Sequence, residues 1–278
     1  MLQAAWAALV DRYPPFVFLT AGVFLVHEAS WLAFNGFYTC LQFADIPFFE
    51  KYRIQKGAKY DRQTTLRSIR HVLSTQFFVI LPVTVLHPLI SYCIKSLAKE
   101  QPIFDVQNLL SFGAEDVSRE LPSWQTVLFQ VFLCQVIEDF VFYFSHRLLH
   151  TKYLYKRIHK VHHQHKAPFS WAAEYAHPLE MFFSNILPMV IGPMLLRSHI
   201  FTFYSWIALR IYYTTEVHSG YCFPWCMENV LGWIYAGPRH HDRHHEVFKG
   251  NYSSTLTYLD YLFGTTCDRL SPSKPKTT

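Results

Sequence analysis

The stretch SHRLLHTKYLYKRIHKVHH, residues 145–163, sets the organisation of this chain. Its first two histidines are four residues apart, so on a helix their side chains lie on one face. Its last three recur at spacings of three and four, and RHHDRHH at residues 239–245 repeats that pattern. The clustered residues are His146, His150, His159, His162, His163, His240, His241, His244 and His245.

This clustering predicts a metal site. Thirteen of the sixteen histidines lie between residues 146 and 245, and neutral imidazole is a ligand for iron, zinc, copper and nickel. A single pair at four-residue spacing is a weak sign, whereas three clusters are not explained by packing. One metal ion usually takes about three to five protein ligands. The clusters and the isolated histidines supply about eight to ten candidates, which predicts a dinuclear site.

The composition indicates an integral membrane protein. Of 278 residues, 51% are hydrophobic and only 16% are charged, against about 25% charged in typical soluble domains. A bilayer-spanning helix needs roughly 20 mostly apolar residues, and such runs occupy residues 16–43, 71–94 and 124–145. Two shorter runs within residues 181–213 predict a hairpin that enters the membrane and returns to the same side.

We therefore expect an all-α, polytopic membrane bundle. It is predicted to be one domain over residues 1–278, with a histidine-rich core at about 124–266 and a dinuclear metal cap on the cytosolic side.

The charged residues predict the orientation. Residues 51–70 hold seven lysines and arginines between two apolar runs, which is typical of a cytoplasmic loop. No nucleic-acid motif accompanies the net charge of +5. The C-terminal KPKTT places Lys274 and Lys276 in the form of a dilysine retrieval signal, an address that a receptor reads. These features predict a multi-pass protein of the endoplasmic reticulum, with the histidine clusters and the C terminus in the cytosol.

Acidic residues near the clusters are further candidates. Asp139 lies seven residues, or two helical turns, before His146, so its carboxylate could hold that imidazole by its second nitrogen. The alternative is that Glu138 and Asp139 are an acid pair at the membrane–water boundary. In the first apolar run, His27 and Glu28 are predicted to be a hydrogen-bonded structural pair.

The predicted ligands indicate the chemistry. Nitrogen ligands at the membrane face of an apolar bundle predict a substrate that partitions into lipid. A histidine-rich dinuclear iron site can activate O2 to attack an unactivated C–H bond, while the protein positions the substrate and excludes water. Each turnover needs two external electrons, and the chain lacks dinucleotide and haem-attachment motifs, so a partner must supply them. A zinc hydrolase would need fewer ligands, and a transporter would usually hold its ligands at the membrane midplane.

The chain resembles the sterol C-4 methyl oxidases, or methylsterol monooxygenases, of the fatty acid hydroxylase superfamily. Its H-x3-H and two H-x2-H-H spacings match the three histidine boxes of that superfamily. AEYAHPLE at 173–180, EVHSGY at 216–221 and GNYSSTLTYLDYLFGT at 250–265 resemble this branch. The likeness runs from about residue 24 to 266.

The resemblance implies an oxidoreductase of sterol biosynthesis that oxidises the C-4 methyl group of 4-methylsterols and 4,4-dimethylsterols through alcohol and aldehyde to carboxylate. It implies two iron ions, with zinc as a possible substitute acquired during purification, and O2. It also implies electrons from NAD(P)H through cytochrome b5 and its reductase, and other sterol C-4 demethylation enzymes as partners. The implied metal ligands are His146, His150, His159, His162, His163, His177, His218, His241, His244 and His245.

Four further residues are predicted to support those ligands: His240, Asp139, Asp242 and Glu174. Substrate contacts are not assigned. The histidine boxes are shared with sterol side-chain hydroxylases, sterol C-5 desaturases and fatty acid hydroxylases, which stay open as alternatives. A membrane zinc-binding or transport protein is the alternative from another class.

Overall fold

A computed structural model describes residues 1–86 and 117–267 of the chain. These residues form helices joined by turns, with no strand among them and two isolated backbone bridges, which confirms the predicted all-α class. The helices are α1 (Leu2–Arg12), α2 (Pro15–Ala44), α3 (Pro47–Glu50), α4 (Arg62–Leu86), α5 (Trp124–Leu149), α6 (152–159), α7 (Pro178–Leu195), α8 (Ile200–Val217), α9 (Met227–Leu231), α10 (Pro238–Val247) and α11 (Tyr258–Leu262).

Four helices, α2, α4, α5 and α7, are long and apolar enough to cross a membrane. They overlap the predicted apolar runs, although α4 begins earlier, at Arg62. Asp61 caps this helix by accepting the Thr64 N–H at 2.6 Å, which satisfies an amide that has no partner within the helix. Residues 87–94 of the second predicted run and the retrieval signal at 274–278 lie outside the described residues.

These helices present apolar side chains outward and polar side chains inward. Phe78 on α4 and Phe129 on α5 are 71% and 63% exposed. Gln76 on α4 and Asn35 on α2 are buried. A water-soluble bundle has the opposite distribution, whereas lipid favours exposed apolar side chains. The bundle is therefore that of a membrane protein.

The predicted hairpin over residues 181–213 is formed by α7 and α8. Helix α8 packs against α2 and α5 and fully buries Trp206 and Ile207. It also buries Arg210, whose Nε donates to Glu138 Oε1 on α5 at 2.9 Å. Helix α8 is thus an internal helix, and its last turn leads directly to His218.

Glycine allows α7 to approach α5 closely. A Cβ added at Gly192 on α7 would lie 2.9 Å from the Cα of Cys134 on α5. This contact is with backbone, so the two helices would have to move apart.

We expect Gly192→Ala to destabilise the bundle by about 1–3 kcal/mol, the usual cost of overpacking, despite the better helix propensity of alanine. Thermal unfolding of the detergent-solubilised protein measures the effect. The matched control is Gly36→Ala on α2, where an added Cβ has no neighbour within 4 Å. An equal melting temperature for both variants would contradict the close approach.

Candidate metal centre

Nine imidazoles come together in two groups where α5, α6, α8 and α10 end or begin. Within each group, one candidate ligand atom from every residue lies within 4.8 Å of the others. The first group comprises His146, His150, His159, His163 and His244. The second group comprises His162, His218, His241 and His245.

Histidines that are adjacent in the sequence belong to different groups. His162 and His163 lie in a short 3₁₀ turn, and His244 and His245 lie on α10. Adjacent side chains on a helix point about 100° apart, so each pair supplies one ring to each group. The ring centroids of His163 and His245 are 4.6 Å apart. The two adjacent histidines of each H-x2-H-H motif therefore contribute to two neighbouring groups.

In the first group, the Nε2 atoms face one another. Nε2 of His163 is 3.0 Å from Nε2 of His159 and 3.2 Å from Nε2 of His244. It is 3.3 Å from Nε2 of His150. Nε2 of His146 is 3.2 Å from Nε2 of His159.

The second group has the same arrangement. Nε2 of His241 is 2.8 Å from Nε2 of His218 and 3.2 Å from Nε2 of His245. Nε2 of His218 is 3.3 Å from Nε2 of His162.

The other ring nitrogen, Nδ1, faces a hydrogen-bond acceptor in six of the nine rings. A carbonyl or carboxylate oxygen only accepts, so Nδ1 carries the hydrogen and Nε2 carries the lone pair. The pairs are His146 with Tyr252 O (2.9 Å), His159 with Glu180 Oε1 (2.7 Å), His162 with Tyr175 O (3.4 Å), His218 with Thr214 O (2.7 Å), His244 with Gly250 O (2.6 Å) and His245 with His165 O (3.0 Å).

In the pairs His146–His159 and His162–His218, both rings carry the hydrogen on Nδ1. Their facing Nε2 atoms cannot hydrogen-bond to each other, because no hydrogen lies between the two lone pairs. A metal cation between them would be bound by every lone pair. Neutral nitrogen donors suit iron, zinc and copper, and Nδ1 partners of this kind usually orient metal-ligating histidines. The donor set thus fits two metal ions side by side.

Burial keeps these imidazoles neutral. It lowers the pKa of His218 to about 3 and that of His150 to about 2. Burial, together with the neighbouring imidazoles, lowers the pKa of His163 well below its usual value. A neutral ring retains the lone pair that a metal requires.

Two of the predicted histidines lie elsewhere. His177 is outside both groups, and its Nδ1 accepts the Leu179 N–H at 3.2 Å at the start of α7. The structure therefore does not place it among the nine. His240 is buried and lies outside both groups. Its Nε2 is 3.4 Å from Asp260 Oδ2.

Among the described residues, no hydrogen bond joins Asp139 to an imidazole. Its carboxylate accepts the backbone N–H groups of Thr255 at 2.7 Å and Leu256 at 3.2 Å. It therefore fixes the segment that carries the Tyr252 carbonyl, which accepts from His146. Its effect on that ligand is indirect.

The other two predicted carboxylates also bind residues outside the groups. Glu174 accepts from Gln76 at 2.9 Å and lies 3.3 Å from His27 Nε2. Asp242 accepts from Gln55 Nε2 at 3.0 Å, which joins the basic loop to α10.

Glu180 was not predicted from the sequence, yet within residues 1–86 and 117–267 it is the one carboxylate that receives a hydrogen bond from a ring in either group. Its Oε1 is 2.7 Å from His159 Nδ1, and its side chain is buried. The available signal was an acidic residue at the start of an otherwise apolar span, where ionisable groups are functional candidates.

An apolar cavity of about 300 Å³ lies between α2, α4, α7 and α8. This volume is at the lower end of the range of about 300–1,000 Å³ for small-molecule sites. A smaller cavity of about 30 Å³ is lined by rings of both groups, including His146 and His241. Ala173, Asn185 and Thr214 line both cavities. We call them the junction residues, because the apolar cavity meets the imidazoles there.

Comparisons with known proteins agree with this geometry. A family model described as fatty acid hydroxylase matches residues 131–265. Methylsterol monooxygenase 1 of Rattus norvegicus is 39% identical over 265 residues, which cover 94% of this chain and 82% of that protein. Methylsterol monooxygenase 2-2 of Arabidopsis thaliana is 37% identical over 270 residues, covering 95% and 91%.

A further relative has a different name. A protein of Oryza sativa subsp. japonica named very-long-chain aldehyde decarbonylase is 40% identical over 273 residues, covering 96% of this chain and 92% of that protein. No solved structure matches the chain.

Proposed function

Because this chain belongs to the fatty acid hydroxylase family, we propose that it is a membrane monooxygenase. Its substrates are 4-methylsterols and 4,4-dimethylsterols, whose C-4 methyl group it oxidises stepwise to alcohol, aldehyde and carboxylate. Each step consumes one O2, two electrons and two protons. The first and third steps release one water each, and the oxidation of alcohol to aldehyde releases two. The names of the relatives and the shape of the site support this assignment.

One observation carries the proposal: an apolar cavity shares three lining residues with a smaller cavity that is lined by five of the nine imidazoles. Sterols partition into lipid, so they can reach a cavity between these helices. The rings would hold two iron ions, which supply O2 activation when bound. Zinc binds the same donors and is expected as a substitute after purification.

The residues of the chain position and protect the reacting group. Apolar side chains such as Met181 and Ile207 line the cavity and would hold the rigid ring system. The buried walls exclude water, which protects reactive species from side reactions. The carbonyls and Glu180 fix the orientation of the imidazoles, because each fixes one Nδ1 hydrogen.

We propose that the metal centre faces the cytosol of an endoplasmic reticulum membrane. Gln55 lies in the basic loop, which in the structure covers residues 51–61 and precedes α4. It donates to Asp242 at 3.0 Å and to the Lys166 carbonyl at 3.2 Å. The basic loop thus lies on the same side as the imidazoles, and positively charged loops favour the cytosolic side. On that side, cytochrome b5 and its NAD(P)H-dependent reductase can deliver electrons, and the other enzymes of sterol C-4 demethylation can take up the product.

A second candidate function is the conversion of long-chain aldehydes, because a relative of equal similarity is named an aldehyde decarbonylase. Sterol side-chain hydroxylation, sterol C-5 desaturation and fatty acid hydroxylation also fit the metal centre. A zinc-binding or transport role fits less well, since the groups adjoin a cavity that suits an organic substrate.

Product analysis tests the proposal. The purified protein in nanodiscs, loaded with iron and supplied with NAD(P)H, cytochrome b5 and its reductase, should convert a 4,4-dimethylsterol to the C-4 carboxylate. A parallel reaction contains a C30 aldehyde in place of the sterol. Conversion of the aldehyde alone would reject sterol oxidation in favour of the second candidate.

A further inference from the structure

The polar groups that line the apolar cavity fall into two sets, and most of them already have protein partners. His27 Nδ1 is 3.0 Å from Glu28 Oε1, the predicted pair, and its Nε2 is 3.3 Å from Glu174. Arg210 donates to Glu138 at 2.9 Å. The Thr84 hydroxyl donates to the Ile80 carbonyl at 2.8 Å. None of these groups needs a ligand.

Asn185 and Thr214 form the second set. Asn185 Nδ2 donates to the Glu180 carbonyl at 3.4 Å, while its Oδ1 has no hydrogen-bond partner within residues 1–86 and 117–267. In the same part of the chain, the Thr214 hydroxyl has no partner either, although the Thr214 carbonyl accepts from His218 at 2.7 Å. An acceptor and a hydroxyl with spare capacity thus face this cavity.

Both residues lie at the junction, where the apolar cavity meets the imidazoles. They come from different helices, Asn185 from α7 and Thr214 from α8. The third junction residue, Ala173, has no polar side-chain atom. A ligand group at this point therefore meets one amide oxygen and one hydroxyl, in a cavity whose other polar side chains have protein partners.

Sterol chemistry matches this position. A sterol has a hydroxyl on C-3, next to C-4. When the C-4 methyl group lies at the imidazoles, the hydroxyl must lie beside it, at the junction. A buried hydroxyl without a partner is unfavourable, and a site built to bind one discriminates against ligands that lack it.

We infer that Asn185 and Thr214 bind the C-3 hydroxyl of the sterol and thereby set which methyl group reaches the metals. The sterol hydroxyl donates to Asn185 Oδ1 and accepts from Thr214 Oγ1. This inference rests on the proposed function. It makes the two residues determinants of specificity, because an aldehyde or fatty acyl chain has no hydroxyl beside the reacting carbon.

The test compares a 4,4-dimethylsterol with its 3-deoxy analogue, using the iron-loaded protein and the electron-transfer chain. We expect wild-type kcat/KM to be about 10- to 100-fold lower for the 3-deoxy analogue, because an unpaired buried polar group costs about that factor. Asn185→Leu and Thr214→Val should lower kcat/KM for the sterol and leave that for the analogue nearly unchanged. Metal content should not change, because the Thr214 carbonyl remains.

The matched control is Thr215→Val. Thr215 is the next residue on α8, and its buried hydroxyl also has no partner among the described residues, but it lines neither cavity. It should retain wild-type preference for the sterol. Equal wild-type rates on both compounds would overturn the inference and leave sterol oxidation intact. Oxidation of neither compound would overturn the proposed function, and the inference with it.

Discussion

Replacing His163 with alanine should abolish oxidation and reduce bound metal from about two ions to about one per chain, since an ion that loses one of few nitrogen ligands binds far more weakly. The His163 ring is central to the first group, with its Nε2 within 3.3 Å of three other Nε2 atoms. Metal analysis of the purified protein, together with product formation, measures both effects. Membrane insertion should be unchanged, because the substitution leaves the spanning helices intact.

The control for this variant is His177→Gln. His177 lies outside both groups and caps the start of α7. We expect this variant to keep both metal ions, because its ring lies outside both groups. Full activity of His163→Ala would remove His163 from the ligand set. Loss of a metal ion from His177→Gln would show that His177 is the tenth ligand that the family resemblance implies.

Replacing Glu180 with alanine should weaken metal binding by about 10- to 100-fold, the usual effect of losing a carboxylate that holds a metal-ligating histidine. Glu180 Oε1 accepts from His159 Nδ1 at 2.7 Å. Without it, the ring can rotate or exchange its hydrogen between the two nitrogens. Titration of the metal-free protein with ferrous iron under anaerobic conditions measures the affinity.

Glu180→Gln is the matched variant. A glutamine keeps an oxygen that can accept from His159, so most of the affinity should remain. If alanine and glutamine weakened binding equally, the role of Glu180 would be its charge and not the orientation of the ring. An unchanged affinity in the alanine variant would show that Glu180 does not support this ligand.

The spanning helices and most of the imidazoles could be predicted from the sequence, because both depend on short-range spacing. The run at 124–145 forms α5, which begins where Ser123 caps it by accepting the Thr126 N–H. A spacing of four places His159 and His163 on one side of a helical turn. These features need no knowledge of tertiary contacts.

The partners of the ligands could not be predicted in the same way. Most are backbone carbonyls, such as those of Gly250 and Tyr252. Every residue has a backbone carbonyl, so the residue type does not reveal which carbonyl accepts from a ligand. The periodicity argument for Asp139 was correct about the helix face. However, seven residues on a helix span about 10.5 Å, which is too far for a direct bond to the His146 ring.

His177, the tenth ligand that the family resemblance implies, caps a helix in the structure. It precedes Pro178, which favours the first turn of a helix, and its side chain accepts the Leu179 N–H. The His177 ring thus caps this helix and lies outside both groups. The junction residues could not be predicted from the sequence either. Asn185 and Thr214 come together only when α7 and α8 pack and line both cavities.

We expect the nine nitrogen donors to hold two metal ions beside the apolar cavity. Metal stoichiometry tests it most directly, measured as iron plus zinc per chain on the intact wild-type protein after anaerobic loading with ferrous iron. The arrangement of the two groups predicts about two ions per chain. A saturating value of one ion or fewer would contradict a dinuclear centre.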